Sequence, residues 1–250
     1  MWPLVPRLVD RENHVAPAPS YGNWTRLIQP FATVVAVVIV CATISLAAAV
    51  GSARALDRPV KIVALGDSLT AGFGLPANDA FPDKLARTLA AKGIAVDIAN
   101  AGVSGDTASG GLARLAWSVP DGTDAVIVEL GANDMLRGTD PKLTRAAIDQ
   151  IVHQLADRGI AVLLCGMQAA PNLGADYARA FNAVFADVAK TYAARNVSFY
   201  PFFLDGVVAD PKLNQPDGLH PTAAGVDIIV ARILPKVEDL VARVNARKPS

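Results

Sequence analysis

A serine at the end of an apolar strand is the residue in this sequence best placed for covalent chemistry. Ser68 lies in the turn Gly66-Asp67-Ser68-Leu69, directly after the mostly apolar run from Val60 to Leu65. A serine hydroxyl is a poor nucleophile at its free pKa. It needs a base within hydrogen-bond reach and donors for the charge that develops on the attacked carbonyl oxygen.

Histidine is suited to act as a base near neutral pH. Two histidines lie after residue 55, namely His153 and His220. His153 lies among polar residues on one side of a predicted helix, so we expect a solvated surface histidine. His220 lies in a loop, three residues after Asp217 and directly before Pro221. We predict that Asp217 accepts a proton from one imidazole nitrogen of His220 while the other nitrogen faces Ser68.

Three groups are candidates to bind the developing negative charge: the backbone N–H groups of Ser68 and Gly102, and the side-chain amide of Asn133. Each has an ordinary explanation when taken alone. A glycine after a strand is common turn chemistry, and an asparagine can cap a helix. Their joint occurrence with Ser68 and His220 favours an oxyanion hole.

The elements that must position these residues alternate between short apolar runs and longer amphipathic stretches, which predicts a parallel sheet with helices on both faces. Five strands are predicted, each mostly apolar as if buried on both faces: Lys61–Leu65, Val96–Asn100, Ala125–Leu130, Ala161–Cys165 and Ser198–Tyr200. Five helices are predicted: Pro82–Lys92, Thr107–Trp117, Pro141–Arg158, Asp176–Arg195 and Pro221–Asn245. We expect Pro235 to kink or divide the last helix.

The candidate residues all follow predicted strands. Ser68, Gly102 and Asn133 each come after a different strand, and the segment with Asp217 and His220 comes after the last one. Ligands of an open α/β sheet bind at the carboxyl ends of its strands. Four segments that are distant in sequence are therefore predicted to converge on one edge of the sheet.

These four segments resemble the sequence blocks of the SGNH (GDSL) hydrolases, in the order of that family. The blocks are Gly66-Asp67-Ser68-Leu69, Gly102, Gly131-Ala132-Asn133-Asp134 and Asp217-Gly218-Leu219-His220. The resemblance implies Ser68 as nucleophile, His220 as base and acid, and Asp217 as its orienting partner. It implies oxyanion donors from Ser68, Gly102 and Asn133. It also implies an α/β fold, namely a flavodoxin-like three-layer α/β/α sandwich with a five-stranded parallel sheet, and no metal or organic cofactor.

Four stretches resemble the secreted bacterial branch of acyl thioesterases, arylesterases and lysophospholipases, namely Val63–Gly72, Asn100–Thr107, Glu129–Asp134 and Pro216–Pro221. This resemblance implies a serine esterase whose partner is a small ester or thioester of an aliphatic acid. The alternatives are a carbohydrate O-acetyl esterase and a non-catalytic binding domain on the same fold. Apolar residues of the predicted edge loops are candidates to line an acyl groove: Phe73, Leu75, Met135, Leu136, Met167, Pro171, Leu173 and Leu213.

Four charged residues adjoin the blocks, and we predict structural roles for Asp67, Asp106, Asp134 and Arg137. An aspartate at a turn or a helix start accepts hydrogen bonds from backbone N–H groups. For Arg137 we expect a salt bridge that holds a loop, with a substrate phosphate or carboxylate as the alternative.

The first 55 residues predict a secretory signal peptide. Three arginines precede a run of 20 uncharged residues at positions 31–50, and Ala53-Arg54-Ala55 follows it. We predict cleavage after Ala55 and export to the periplasm or medium. An uncleaved inner-membrane anchor is the alternative, because about 20 apolar residues can span a bilayer. Residues 56–250 are then expected to form a single hydrolase domain.

Composition argues against several other functions. The leader holds four of the 23 basic and two of the 23 acidic side chains, so 19 basic and 21 acidic ones remain. This balance gives no indication of a nucleic acid or an anionic membrane surface as partner.

Cys165 is the one cysteine left after removal of the leader, so we expect no internal disulfide and a buried core position for this residue. We expect a monomer or a small homo-oligomer.

Three other catalytic motifs are not matched. An α/β-hydrolase motif would need glycine where Thr70 stands. A phosphate-binding loop would end in Gly-Lys-Ser/Thr, and a zinc site would need a ligand cluster that two histidines and one cysteine do not readily form.

Overall fold

The computed structural model describes residues 58–247, in which five parallel strands form one sheet. The strands are β1 (Val60–Gly66), β2 (Val96–Gly102), β3 (Ala125–Glu129), β4 (Ala161–Cys165) and β5 (Val197–Tyr200). They lie in the order β2-β1-β3-β4-β5. All five predicted strands are present, with ends that shift by at most two residues. The order reverses at β1, which places the carboxyl end of β1 where α/β sheets bind ligands.

Strand β2 corrects the prediction that every strand is buried on both faces. All seven of its residues are at least partly exposed. The physical reason is its position at the edge of the sheet, where only β1 pairs with it. The central strands β3 and β4 are buried at every residue, as their continuous apolar sequence predicts.

Helices cover both faces of the sheet. They are α1 (Ser68–Ala71), α2 (Phe81–Ala91), α3 (Ala108–Ala113), α4 (Leu115–Ser118), α5 (Ala132–Leu136), α6 (Pro141–Asp157), α7 (Ala175–Thr191) and α8 (Ala223–Asn245). Helices α2 and α8 pack against each other, whereas α6 packs against both α3 and α7. The result is the predicted three-layer α/β/α sandwich.

Two predicted helices are interrupted. The stretch predicted as one helix over Thr107–Trp117 forms α3 and α4, which are separated at Arg114. The guanidinium of Arg114 donates hydrogen bonds to carbonyl oxygens at the ends of β1 and β2. Its side chain therefore contacts the sheet and does not lie on the solvated face of a helix. Helix α7 ends at Thr191, and a short 3₁₀ turn, Ala193–Arg195, follows it.

Helix α8 is continuous, so Pro235 does not divide it into two segments. Proline removes one backbone hydrogen bond from a helix interior. Apolar residues on both sides of Pro235, including Ile233 and Val237, are buried in the core, and this burial offsets the lost bond. Cys165 is fully buried at the end of β4, as predicted.

The predicted signal peptide, its apolar run and the Ala55 cleavage site lie outside the described residues. Within residues 58–247, no helix combines the length and the apolar character needed to cross a membrane.

Candidate active site

Ser68 is the first residue of α1 and follows β1 after a single residue, Asp67. The carboxylate of Asp67 caps α1, because its Oδ1 accepts a hydrogen bond from the Leu69 N–H at 3.0 Å. The N–H groups of the first helical turn have no partner within the helix. Ser68 therefore presents both its hydroxyl and its backbone N–H at the edge of the sheet, while only 9% of its surface is exposed.

His220 and Asp217 reach Ser68 from the loop that precedes α8. The His220 Nε2 lies 2.9 Å from the Ser68 Oγ. The other ring nitrogen, Nδ1, lies 2.7 Å from the Asp217 Oδ2. The structure thus brings together the three residues predicted from the sequence, in the predicted order of contacts.

The ionisation of Asp217 decides which way these hydrogen bonds run. Backbone N–H bonds from Leu219 and His220, together with the His220 ring, lower the pKa of Asp217 to about 2. An ionised carboxylate can only accept hydrogen bonds, so the His220 Nδ1 must carry the proton. In the neutral imidazole the His220 Nε2 keeps its lone pair, which accepts the hydrogen bond of the Ser68 hydroxyl.

The other two predicted oxyanion donors, the Asn133 amide and the Gly102 N–H, donate hydrogen bonds to other groups of the protein in this structure. The Asn133 Nδ2 donates to the Asp67 Oδ2 at 3.1 Å and to the Asp106 carbonyl at 2.9 Å. The Gly102 N–H donates to the Asn100 Oδ1 at 3.0 Å. Glycine is required at position 102, because a Cβ there would lie 2.2 Å from the Ala71 nitrogen in the Ser68 helix.

A mostly apolar cavity of about 300 Å³ opens beside Ser68. Its lining consists of Ser68, Leu69, Phe73, Ser104, Gly105, Ala132, Asn133, Met135, Leu136, Leu204, Leu219 and His220. Gly102 is absent from this lining and packs against α1. The cavity can therefore hold an apolar group with a polar end at Ser68.

A family model described as the GDSL-like Lipase/Acylhydrolase family matches residues 64–228. The chain belongs to this family. The match contains Ser68, Gly102, Asn133, Asp217 and His220.

Relatives of this GDSL-like hydrolase include an arylesterase, a thioesterase and an esterase. An arylesterase from Vibrio mimicus is 36% identical over 162 residues, which cover 64% of this chain and 80% of that protein. Thioesterase 1/protease 1/lysophospholipase L1 from Escherichia coli is 34% identical over 181 residues, covering 72% and 84%. The crystal structure of AlinE4, described as an SGNH-hydrolase family esterase, is 41% identical with a TM-score of 0.62, covering 74% and 98%. The chain is therefore an ester hydrolase, and the predicted SGNH (GDSL) resemblance is confirmed.

The acyl-groove candidates divide between the cavity and other places. Phe73, Met135 and Leu136 line the cavity beside Ser68. Five candidates do not: Leu75, Met167, Pro171, Leu173 and Leu213.

Met167 belongs to the core, where only 3% of it is exposed, and Leu75 and Leu213 pack against that core. Pro171 and Leu173 form a separate 3₁₀ turn before α7. Leu204 and Leu219 line the cavity but were not predicted. Leu219 could have been found from its place beside His220, and Leu204 from its place after β5.

Two buried carboxyl groups lie beneath the nucleophile, and the sequence indicated the position of only one. Asp67 and Glu129 are both inaccessible to solvent. The Glu129 Oε2 accepts a hydrogen bond from the Thr70 hydroxyl at 2.7 Å, whereas its buried Oε1 has no partner in the described residues. Burial raises the pKa of Asp67 to about 6, and burial together with Asp67 raises the pKa of Glu129 well above its usual value.

The raised pKa of Asp67 predicts a pH-dependent stability. Between about pH 4 and pH 6 the folded protein binds this proton while the unfolded chain releases it. The contribution of Asp67 to the free energy of unfolding is therefore fully present below pH 4 and is lost as the pH rises through 6. We expect wild type to lose about 1 to 3 kcal/mol relative to Asp67→Asn between pH 4 and pH 7.

Urea unfolding of both proteins at the two pH values measures this difference. A constant effect of the substitution on packing cancels, because only the change with pH is compared. Parallel pH profiles for wild type and Asp67→Asn would contradict the assignment.

The other charged residues beside the blocks hold loops, as predicted, but with partners that the sequence did not indicate. The Asp106 carboxylate accepts a bond from the Arg114 Nε at 2.6 Å. Asp134 accepts bonds from the Ala108 N–H and the Thr144 hydroxyl. Arg137 donates to the Gly105 carbonyl at 2.8 Å, so it holds a loop through the backbone rather than through the expected salt bridge.

Arg114 is a structural residue that sequence reasoning missed. Only 7% of it is exposed, and it donates to the carbonyl oxygens of Gly66 and Ala101, both at 2.8 Å. These carbonyls stand at the ends of β1 and β2, next to Ser68 and Gly102. Periodicity alone could not reveal this role, because an arginine in an amphipathic stretch is usually a solvated residue.

Proposed function

We propose that this hydrolase is a serine esterase that cleaves carboxylic esters or thioesters of aliphatic acids through an acyl-enzyme on Ser68. The observation that carries the proposal is the continuous hydrogen-bonded chain from Ser68 through His220 to Asp217, with separations of 2.9 and 2.7 Å. These separations fall within the range that a nucleophile and its base require.

The first half of the proposed reaction forms the acyl-enzyme. The Ser68 Oγ attacks the carbonyl carbon while the His220 Nε2 takes the hydroxyl proton. Asp217 stays ionised and stabilises the imidazolium ion through Nδ1. The tetrahedral intermediate then collapses, and the alcohol or thiol leaves with the proton from Nε2.

The second half repeats these steps with water. The His220 Nε2 takes a proton from a water molecule, which attacks the acyl carbonyl on Ser68. Collapse of the second intermediate returns the proton to the Ser68 Oγ and releases the carboxylic acid. The residues return to their starting protonation states, so the reaction consumes only the substrate and water.

The Ser68 N–H, the Gly102 N–H and the Asn133 amide are the proposed oxyanion donors. Asn133 donates to the Asp67 carboxyl group and the Asp106 carbonyl, and the Gly102 N–H donates to the Asn100 side chain. A charged oxyanion is a stronger acceptor than the Asp106 carbonyl or the Asn100 amide oxygen, so transfer of an N–H donor from either of these to it is favourable in the transition state. Such a preference for the transition state is what accelerates a reaction.

The cavity lining favours an acyl ester over an acetylated sugar. Phe73, Met135, Leu136, Leu204 and Leu219 surround Ser68 with apolar surface. A sugar would leave its hydroxyl groups without partners against these side chains, which costs binding energy. An aliphatic chain would instead bury apolar area there.

We therefore expect kcat/KM for p-nitrophenyl esters to rise with acyl length. Each buried methylene group contributes about 0.8 kcal/mol, or about a fourfold gain, until the cavity is filled. A series from acetyl to palmitoyl, run beside an acetylated xylooligosaccharide, measures this trend. Activity on acetyl groups of the sugar alone would favour a carbohydrate O-acetyl esterase.

We also propose that the protein is exported and that residues 1–55 are removed. The proposal rests on the arginines, the uncharged run and the Ala53-Arg54-Ala55 sequence of the leader. N-terminal sequencing of protein recovered outside the cytoplasm should begin at Leu56. A chain that retains its leader in the membrane fraction would indicate the anchored alternative.

A further inference from the structure

His220 lies in a loop rather than in one of the helices or strands of the described residues. His220 lies between β5 and α8, and 152 positions separate it from Ser68 in the sequence. The 2.9 Å contact between the His220 Nε2 and the Ser68 Oγ is a single hydrogen bond, which does not by itself hold the loop in place. Other contacts must therefore set the separation between nucleophile and base.

Gln215 joins the two segments through its backbone and its side chain. Its backbone N–H donates to the His220 carbonyl at 2.7 Å. Its side-chain Nε2 donates to the Phe73 carbonyl at 2.7 Å and to the Pro221 carbonyl at 3.0 Å. Gln215 thus holds both the His220 loop and the segment that follows α1.

Phe73 completes the connection from the side of Ser68. Its N–H donates to the Ser68 carbonyl at 3.1 Å, so its backbone is fixed to the nucleophile turn. Its ring lies against the His220 imidazole, with the ring centroids 4.5 Å apart and the planes tilted by 35°. This distance suits an aromatic pair, and an aromatic face within about 6 Å also attracts a cation.

We propose that Phe73 and Gln215 form a clamp that positions the His220 imidazole against the Ser68 hydroxyl. Both are positioning residues, because they act on the reaction through His220. The inference rests on the proposed function and extends it, since it assigns the separation of the catalytic pair to two residues outside the triad. The Phe73 ring also faces the imidazolium ion that forms each time His220 takes a proton.

Phe73 lines the cavity as well, so the clamp must be distinguished from a wall that binds the acyl chain. A wall contributes more as the chain lengthens, and its loss raises KM. A clamp acts on proton transfer, and its loss lowers kcat by the same factor for every acyl group. The two roles therefore separate in a series of esters of increasing length.

The experiment compares Phe73→Leu, Phe73→Tyr and Gln215→Leu with wild type on p-nitrophenyl acetate, butyrate and octanoate. We expect Phe73→Leu and Gln215→Leu to lower kcat about 10- to 100-fold at all three lengths, with KM changed less than about twofold. Phe73→Tyr keeps the ring and should restore kcat to within about threefold of wild type. The rate of Ser68 phosphorylation by diethyl p-nitrophenyl phosphate, which carries no acyl chain, should fall with kcat.

Two surface substitutions serve as matched controls. Trp117→Leu removes an exposed aromatic ring from α4, and Gln154→Leu removes an exposed glutamine from α6. Both should leave kcat and KM unchanged. Thermal unfolding of each variant shows whether a lost activity comes from an unfolded protein, and the rescue by Phe73→Tyr stands independently of that measurement.

The outcomes separate the clamp from the proposed function. Full kcat in Phe73→Leu and Gln215→Leu, beside an inactive Ser68→Ala, would overturn the clamp and leave the esterase proposal intact. A loss that appears in KM and grows from acetate to octanoate would also overturn it, in favour of an acyl wall. A wild type without activity on any ester would overturn the proposed function and the clamp together.

Discussion

Replacement of Ser68 by alanine is expected to lower kcat/KM for p-nitrophenyl esters by about 10⁴- to 10⁶-fold, the loss found when a serine nucleophile is removed. The variant should remain folded. Alanine fits the space of serine, and the one side-chain hydrogen bond that disappears in the described structure is the bond to His220. Steady-state rates of p-nitrophenol release, with thermal unfolding measured in parallel, test both expectations.

His220→Ala should cause a comparable loss, because Ser68 then has no base. His153→Ala is the matched control. His153 lies on α6, half exposed, with its Nε2 3.2 Å from the Asp157 carboxylate, and its removal should leave the rate unchanged. The double variant Ser68→Ala/His220→Ala should be no slower than either single variant, because the two residues act as a unit.

Three results would contradict the assignment. Wild-type rates in Ser68→Ala would show that Ser68 is not the nucleophile. Equal losses in His220→Ala and His153→Ala would mean that the base is misassigned or that both substitutions act through stability. Fully additive losses in the double variant would show that Ser68 and His220 contribute through separate steps.

The sheet and the convergence of the site were predictable because both follow from strong local patterns. Continuous apolar runs such as Val126–Val128 mark strands that are buried on both faces. Residues after parallel strands must lie at one edge of the sheet, so Ser68, Asn133 and His220 could be brought together on topology alone. The same reasoning could not distinguish the edge strand β2 from a central one.

Contacts that depend on the packing of distant loops were not predictable. Glu129 is the last residue of an apolar strand, and only the folded chain shows that it meets Thr70 beneath the nucleophile. Met167 and Leu136 both follow strands and are both apolar, yet Met167 enters the core and Leu136 lines the cavity. A one-dimensional pattern gives the element on which a residue lies, whereas the direction in which its side chain points depends on the neighbours that the folded chain supplies.

Substitution of Asn133 by alanine is the second large effect that we expect, a loss of about 10²- to 10³-fold in kcat, as is typical when one oxyanion donor is removed. KM should change little, because the proposed bond strengthens only as charge develops on the substrate oxygen. Kinetics on p-nitrophenyl butyrate measure the two constants separately. Asn245→Ala, which removes an exposed amide at the end of α8, is the matched control.

Asn133 also donates to Asp67 and the Asp106 carbonyl, so the effect of its N–H groups must be separated from the effect of the size of its side chain. Asn133→Asp keeps the size of the side chain but removes the N–H groups and places a carboxylate beside Asp67. If the N–H groups of Asn133 matter, Asn133→Asp should be at least as slow as Asn133→Ala. If Asn133 matters only by filling space, Asn133→Asp should recover most of the kcat. That recovery would assign charge stabilisation to Ser68 and Gly102 alone, both of which donate through the backbone and are unaffected by the exchange of a side chain.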